Sequence, residues 1–379
     1  MTVLILSCGT GGGHNTAGMA VADELRRRGH TVVFEDAFAL VGHTAAKVVN
    51  NTYIKTVQYA PKAFGAMYSI SESVSNNIPG HSAVYLANSL CTHALKKLLS
   101  TLRFDAVVMT HIFPAHMLTA LRKRGVAIPT CYLVATDYTC HPFSQEAECD
   151  IVVTPSKELE YMFVEAGIPA RKLLPLGIPV KCEFSQPISK ETACKELGLP
   201  VDNRYILLSG GSIGASSMSG SIAALVRYLE DDAQKHLIVI CGSNERLYEK
   251  LRQNYAGHKQ IHIVGKTDKM PLFMKASDVF ITKPGGLSTT EAAVSGTPLI
   301  LMPPIPGCET YNIHFFEKHG MCVAVNDPEA ELVAALKSLE TEGAVLHMRH
   351  AQHTFINDHS TTDLCDHIEK TVTSQKEGT

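Results

Sequence analysis

The residues best suited to chemistry lie in a glycine-rich stretch at 283–291, which follows the apolar run 278–282. This order of residue types predicts a buried strand, a tight loop and a helix. The first turn of a helix offers free backbone N–H groups and the positive end of the helix dipole to an anion. Ser288 and Thr289 add hydroxyl donors, and Glu291 could accept from sugar hydroxyls. The stretch fits a phosphate beside a ribose, although taken alone it fits a serine-capped turn equally well.

Two further glycine loops follow predicted strands. The strand 3–7 leads into residues 9–13, which include four glycines, and then into His14. The strand 205–209 leads into the loop 210–214, which again carries glycines. Open parallel sheets bind ligands at the carboxyl ends of their strands. Three such loops therefore predict ligand-binding sheets in both halves of the chain.

Histidine and aspartate side chains near these loops could carry acid–base chemistry. His14 begins a predicted helix, where the dipole favours the neutral imidazole that a general base requires. It could alternatively act as an N-terminal cap. Asp137 and His141 follow another predicted strand and could form a second acid–base pair or orient a substrate. His111 and His116 also lie near a strand end, but they are more typical of structural histidines.

A proline-rigid segment at 303–312 connects the predicted strand 299–302 to a helical pattern. It carries Glu309 and Asn312, which could recognise sugar hydroxyls through directional hydrogen bonds. Glu309 could alternatively be a favourable charge in the first turn of the helix.

Composition limits the class of protein. The 379 residues are 45% hydrophobic and 19% charged, with a formal net charge of −3, which predicts globular cores and no general attraction to nucleic acid. No apolar run approaches the roughly 20 residues of a membrane span, and the start lacks a cationic signal region. The 11 cysteines contain no C-x-x-C pair, which favours reduced thiols in the cytosol. The 18 histidines show no metal-ligand spacing with a third ligand nearby, so no metal site is expected.

Short apolar runs alternate with helical stretches, which predicts an α/β fold with parallel sheets covered on both faces. The predicted strands are 3–7, 31–35, 106–110, 130–135, 151–154, 205–209, 237–241, 261–264, 279–282, 299–302 and 322–325. They form two doubly wound domains, for which we expect the bounds 1–178 and 201–379 and a polar linker at 179–200. The last helix could cross back to the first domain, and the active site would lie in the cleft between the two.

Residues 42–99 interrupt this alternation and predict a helical insertion. Its aromatic residues Tyr53, Tyr59, Phe64 and Tyr68 stand at mostly helical spacing among lysines. Such a helix could lie in a membrane interface. It could alternatively pack on the N-terminal sheet, with the lysines extending their charged ends to the solvent.

A nicotinamide-dependent dehydrogenase is the rival from another class. Residues 9–11 open like a dinucleotide fingerprint, and Glu35 ends the second strand about where a ribose-binding acid is expected. The third glycine of the fingerprint would stand at position 14, which is His14. The dehydrogenase hypothesis also leaves the later glycine loops unexplained, and it is therefore disfavoured.

Taken together, these motifs resemble the family of monogalactosyldiacylglycerol synthases and processive diacylglycerol glucosyltransferases. The resemblance covers nearly the whole chain and rests on residues 11–14, 51–61, 136–141, 177–180, 210–212, 283–292 and 306–312. It implies a GT-B fold and an inverting transfer of glucose or galactose from a UDP-sugar to the hydroxyl of diacylglycerol or a glycosyl-diacylglycerol. No metal or other cofactor would take part. The protein would bind peripherally to the anionic surface of the cell membrane on its cytoplasmic side.

The resemblance also implies roles for individual positions. The catalytic residues would be His14, Asp137 and His141, with His14 or Asp137 as the base. The donor-binding residues would be Gly211, Ser212, Thr267, Met270, Gly285, Gly286, Leu287, Ser288, Thr289, Glu291, Cys308, Glu309 and Asn312. The acceptor-binding residues would be Gly12, Gly13, Tyr53, Tyr59, Phe64, Tyr68 and Phe143.

Within the donor set, the resemblance implies Glu291 for the ribose and residues 286–288 for the diphosphate. The backbone near Thr267 and Met270 would bind the uracil. Glu309 and Asn312 would bind the hexose.

The chain departs from the family pattern at two positions. Cys308 stands where members typically have glutamine, and Phe143 stands where members often have tryptophan. A thiol is a weak hydrogen-bond partner, and phenylalanine lacks the indole N–H. The identities of the sugar and the acceptor therefore stay open. Transfer to another acceptor, a UDP-sugar epimerase and a binding module without turnover remain alternatives.

Overall fold

The computed structural model describes residues 1–9, 12–42, 81–210 and 218–377. The chain divides into two compact units. The first comprises Met1–Cys182, Pro306–Cys308 and His359–Thr379, and the second comprises Glu183–Ile305 and Glu309–Asp358. The stretch 183–200, most of the linker expected from the sequence, clusters with the second unit.

A six-stranded parallel sheet forms the centre of the first unit, in the order β2-β1-β3-β4-β5-β6. Its strands are β1 (Thr2–Ser7), β2 (Thr31–Asp36), β3 (Ala106–Met109), β4 (Thr130–Val134), β5 (Ile151–Val153) and β6 (Leu173–Leu174). Successive side chains of a strand point to opposite faces. Leu4 and Leu6 accordingly join one buried cluster, while Val3 and Ile5 join another. Both faces of the sheet are therefore covered, which explains the continuous apolar runs.

Helices cover these two faces. The α-helices of the first unit are Gly13–Arg27, Ala37–Val41, Ala83–Leu90, His93–Thr101, Ile112–Lys123, Glu160–Glu165 and Ser360–Glu377, with 3₁₀ turns at Ser144–Glu146, Lys157–Leu159 and Ala170–Lys172. The last helix packs with the first unit, where Leu364 and Ile368 lie fully buried beside Val3. Arg28 also pairs with Glu369 of that helix, with 2.9 Å between Nη1 and Oε2.

The second unit contains another six-stranded parallel sheet, in the order β12-β11-β10-β7-β8-β9. Its strands are β7 (Arg204–Ser209), β8 (Lys235–Ile240), β9 (Ile261–Val264), β10 (Val279–Thr282), β11 (Leu299–Leu301) and β12 (Val323–Ala324). Its α-helices are Lys190–Leu197, Met218–Leu229, Glu245–Asn254, Met270–Ala276, Gly286–Ser295, Cys308–Lys318, Pro328–Leu339 and Ala344–Phe355. The first residue of the helix Cys308–Lys318 clusters with the first unit. A short helix at Cys182–Ser185 lies where the two units meet along the chain.

The prediction of two doubly wound α/β sheets is confirmed. Each of the eleven predicted strands has a counterpart, with ends that differ by at most two residues. The two-residue strand β6 was not predicted. In each sheet the strand order reverses once, between β1 and β3 and between β7 and β10. Such switch points are where open α/β sheets bind ligands.

The predicted insertion at 42–99 is described only from residue 81 onward. That part forms the helices Ala83–Leu90 and His93–Thr101. Tyr53, Tyr59, Phe64 and Tyr68 lie outside the described residues. Among the helices that the structure describes, none combines the length and the apolar character needed to cross a bilayer.

Candidate active site

In the first unit, His14 lies at the switch point of the sheet. It is the second residue of the helix that follows β1, and the helix is preceded by Gly12 with a left-handed φ of 86°. A residue with a side chain rarely adopts this φ, so the tight entry into the helix needs glycine. Nδ1 of His14 lies 2.6 Å from the carbonyl oxygen of Thr110 and 3.0 Å from the hydroxyl of Thr136. The ends of β1, β3 and β4 thus converge on one imidazole.

The contact with Thr110 decides the tautomer of His14. A carbonyl oxygen can only accept a hydrogen bond, so Nδ1 carries the proton and Nε2 keeps its lone pair. Burial and, next, the neighbouring His141 lower the pKa of His14 to about 4, although the carboxylate of Asp137 and the carbonyl of Thr110 act in the opposite direction. His14 is therefore neutral near pH 7 and able to accept a proton at Nε2.

His111 packs edge-on against His14, with 4.7 Å between the ring centroids. Its own Nδ1 accepts from the backbone N–H of Phe113 at 3.1 Å and caps the helix Ile112–Lys123. Burial holds the pKa of His111 well below its usual range. His111 therefore supports the ring of His14 as a neutral side chain.

His116 supports the loop that follows β4. It is fully buried, its Nε2 donates to the carbonyl of Phe143 at 3.0 Å, and its Nδ1 accepts from Asn88 at 3.1 Å. Phe143 has a φ of 66°, which is uncommon for a residue with a side chain, and only 7% of it is exposed. The aromatic ring predicted to meet the acceptor thus lies mostly within the unit.

Asp137 and His141 form a pair in the same loop, with 3.1 Å between Oδ2 and Nε2. Their side chains are 17% and 28% exposed. Sγ of Cys308 lies 3.5 Å from Nδ1 and 4.0 Å from Nε2 of the same imidazole. Burial favours the neutral imidazole of His141, but the interactions with Cys308 and Asp137 outweigh it and hold the pKa of His141 well above its usual range.

A small cavity of about 60 Å³ adjoins these histidines. Its polar lining includes His14, Thr110, Thr136 and His141, and its apolar lining includes Phe163. This volume admits a few water-sized groups. A hydroxyl that entered it would come within reach of the histidine nitrogens.

In the second unit, the loop after β10 opens the helix Gly286–Ser295 without a side-chain cap. Gly285 has φ −73° and ψ 133°, a conformation open to any residue, and a Cβ atom built there would meet nothing within 4 Å. Neither backbone strain nor crowding within the described protein therefore requires glycine at this position. The uncapped N–H groups and the open space above them suit a bound anion.

The hydroxyl residues after this loop differ in exposure. Thr289 and Thr290 are buried, and they donate to the carbonyls of Gly285 and Gly286 at 2.6–3.0 Å. Ser288 is partly exposed. Ser288 is thus the better placed of the three to meet a ligand, whereas the hydroxyl of Thr289 bonds within its own helix.

Two residues predicted to bind the hexose brace this glycine loop. Asn312 is fully buried and donates to the carbonyl of Pro284 at 2.9 Å. Glu309 forms an ion pair with Lys283 and accepts from the backbone N–H of Ile305 at 2.9 Å. These three contacts carry no local sequence signal, because two of them join residues more than 20 positions apart and the third is made to a backbone N–H.

The remaining predicted donor residues are placed as follows. Glu291 lies on the helix Gly286–Ser295 and is 8% exposed, and Leu287 is buried beside it. Thr267 lies in the loop after β9, where its hydroxyl accepts from the N–H of Lys269 at 3.0 Å, and Met270 begins the next helix. Gly211 and Ser212 lie outside the described residues.

Comparison with known proteins identifies both halves of the chain. Residues 14–180 match the family model of monogalactosyldiacylglycerol (MGDG) synthase, and residues 205–366 match that of the glycosyltransferase family 28 C-terminal domain. The processive diacylglycerol beta-glucosyltransferase of Bacillus pumilus (strain SAFR-032) is 26% identical over 368 residues, which cover 94% of each chain.

Two solved structures share the fold. MurG of Acinetobacter baumannii has a TM-score of 0.63 at 17% identity, with 97% of this chain and 99% of that chain covered. S. aureus MnaA, solved with UDP, has a TM-score of 0.66 at 12% identity, with 98% and 97% covered. The expected GT-B fold is confirmed.

Proposed function

Because the chain belongs to the monogalactosyldiacylglycerol synthase family of GT-B glycosyltransferases, we propose that it transfers a hexose, glucose or galactose, from a UDP-sugar to the hydroxyl of diacylglycerol or a glycosyl-diacylglycerol. The observation that carries the proposal is the hydrogen bond from Nδ1 of His14 to the carbonyl oxygen of Thr110. Nε2 is thereby left to take a proton from an acceptor hydroxyl.

His14 suits the role of base better than Asp137 does. The carboxylate of Asp137 already bonds to His141, whereas Nε2 of His14 keeps its lone pair. As the acceptor proton moves to Nε2, the negative charge of Asp137 stabilises the imidazolium, since Asp137 raises the pKa of His14. Asp137 and His141 then act as an electrostatic pair beside the base.

The second unit would bind the donor. In the proposed reaction the acceptor oxygen forms a bond to the anomeric carbon while the bond from that carbon to the UDP oxygen breaks, and the configuration inverts. The departing diphosphate gains negative charge, which the N–H groups at Gly285 and Gly286, the helix dipole and the hydroxyl of Ser288 would meet. No step of the proposed reaction calls for a cofactor.

The described part of the 42–99 insertion supports a lipid acceptor and peripheral binding to the inner face of the cell membrane. Leu86 and Leu90 of the helix Ala83–Leu90 are 54% and 80% exposed. Lys96 and Lys97, on the next helix, are exposed as well. Exposed apolar side chains with nearby lysines are typical of surfaces that bind anionic lipid headgroups. The acceptor named for the relative from Bacillus pumilus, diacylglycerol, agrees with this surface.

The product tests the proposal. Purified protein is incubated with UDP-glucose or UDP-galactose and diacylglycerol, and the lipid extract is analysed by mass spectrometry and by NMR of the anomeric proton. We expect a hexosyl-diacylglycerol with β configuration, because inversion at the anomeric carbon of an α-linked donor gives a β-linked product. A product with α configuration would overturn the inverting mechanism, and a free 2-epimeric sugar nucleotide without any glycolipid would indicate an epimerase instead.

A further inference from the structure

Three side chains of the first unit bring metal-ligating atoms together at Asp137, His141 and Cys308. One ligand atom from each lies within 4.8 Å of the other two. Oδ2 of Asp137 lies 3.1 Å from Nε2 of His141, and Sγ of Cys308 lies 4.0 Å from the same nitrogen. The sequence showed no such cluster, because Cys308 is 167 positions from His141.

The chemistry of the three side chains matches one class of ion. Thiolate, imidazole and carboxylate are all ligands of Zn²⁺, and soft thiolates select it over magnesium and calcium. Tetrahedral zinc with Zn–N near 2.0 Å and Zn–S near 2.3 Å holds its N and S ligands roughly 3.5 Å apart, and its N and O ligands about 3.3 Å apart. The observed separations of 4.0 Å and 3.1 Å need only small side-chain adjustments to reach this geometry.

The cluster lies where an ion can enter from the solvent and leave again. The side chains of Asp137 and His141 are 17% and 28% exposed, so the site is reachable from solvent. Three protein ligands leave a fourth tetrahedral position open to water, unlike structural zinc sites, in which the protein supplies all four ligands. His14 lies nearby, with 6.4 Å between its ring centroid and that of His141.

We propose that Asp137, His141 and Cys308 bind a zinc-like divalent cation, and that the bound ion inhibits the enzyme. The cation takes the carboxylate of Asp137 and the imidazole of His141 as ligands, so neither can serve the reaction. Binding of the ion does not depend on the proposed transfer, whereas the inhibition does.

Cobalt tests the binding directly, since Co²⁺ replaces Zn²⁺ with similar geometry and reports thiolate ligation by a charge-transfer absorption. Metal-stripped, reduced protein is titrated with Co²⁺ and then with competing Zn²⁺. We expect one Co²⁺ per chain with thiolate absorption, displaced by Zn²⁺. Cys308→Ser should remove the absorption, while Cys182→Ser, which changes an exposed cysteine elsewhere, should retain it. Saturation without thiolate absorption, or equal absorption in Cys308→Ser, would overturn the proposal.

A second variant guards against misfolding of Cys308→Ser. Asp137→Asn keeps the shape of the side chain and removes its charge, and it should weaken Zn²⁺ affinity at least about tenfold, since even partners outside the first coordination shell have effects of this size. Unchanged affinity in this variant would contradict the three-ligand site. If Zn²⁺ binds as expected but no glycolipid forms under any condition, the proposed function fails and the metal site stands.

Discussion

Nδ1 of His14 lies 2.6 Å from the backbone carbonyl oxygen of Thr110. Because a carbonyl cannot donate, this contact fixes the Nδ1–H tautomer and directs the basic lone pair to Nε2. The contact joins the helix after β1 to the end of β3, which are neighbouring strands in the sheet. The fold thus sets the protonation state of the proposed base through a backbone atom.

Replacement of His14 by alanine should lower kcat far more than it changes donor affinity. The expected loss in kcat is about 10²- to 10⁴-fold, the usual contribution of a general base, with the KM for the UDP-sugar nearly unchanged. Steady-state kinetics at saturating lipid measure both. His353→Ala, an exposed position on the helix Ala344–Phe355, is the control and should match the parent enzyme. The reverse pattern, a large KM effect with kcat retained, would make His14 a binding residue.

Replacement of Gly285 by alanine should leave the fold intact and weaken donor binding. The backbone there is open to any residue and a Cβ meets no atom within 4 Å, so the methyl group conflicts only with a ligand seated on the loop. We expect the KM for the UDP-sugar to rise about ten- to hundredfold, as when a hydrogen bond to a charged group is lost.

Gly257→Ala is the matched control for this substitution. Gly257 is also exposed and unhindered, but it lies away from the predicted donor loop. Isothermal titration with UDP and thermal melts of both variants separate binding from stability. Equal UDP affinity in Gly285→Ala and Gly257→Ala would show that the diphosphate does not bind at this loop.

The sheets were predictable because their strands are buried on both faces. Runs such as Val3–Ser7 and Val279–Thr282 contain few polar residues and end in glycine loops, which are local signals. Strand β6 has two residues, Leu173 and Leu174, which is too short for any periodicity to register. The sequence therefore predicts the sheets well except at this edge.

The site was predictable only in part. The motif positions of His14, Asp137 and His141 placed them after β1 and β4, the two strands that flank β3 in the sheet. The carbonyl of Thr110 carries no signal in a sequence, since every residue has one. The approach of Cys308 to His141 depends on tertiary packing between distant positions, which no local pattern encodes.

Glu291 should recognise a ribose hydroxyl of the donor. Glu291→Gln keeps the size of the side chain and removes the charge, and we expect the donor KM to rise about tenfold or more. Parent and variant are compared with UDP-glucose and with its 2′-deoxy and 3′-deoxy ribose analogues. The rise in donor KM caused by removing one of the two hydroxyls should be large in the parent and nearly absent in the variant, because the variant has already lost the same hydrogen bond. Identical penalties in both proteins would place the ribose elsewhere.

Stability should decrease as the pH is lowered from about 7 to about 5. The folded-state pKa values of His14, His111 and His116 are lowered, chiefly by burial, whereas the unfolded value is near 6.5. In this window the unfolded chain binds more protons, so the free energy of unfolding rises with pH. His141 has a raised pKa and acts in the opposite direction, but only from the unfolded value near 6.5 upward, so three lowered groups outweigh it over most of this window.

Urea unfolding at a series of pH values measures this dependence. His14→Gln should show a shallower slope than the parent, because one of the three groups is removed. A free energy of unfolding that stays constant or increases towards pH 5 would contradict the burial of neutral histidines.

Lipid-dependent release of UDP tests the proposed transfer most directly. Purified protein is given UDP-glucose, UDP-galactose or UDP-N-acetylglucosamine in turn, each with and without diacylglycerol in mixed micelles, and UDP is quantified over time. We predict that release requires the lipid and favours UDP-glucose or UDP-galactose. Release that is the same with and without diacylglycerol for every donor would contradict the assignment of the acceptor.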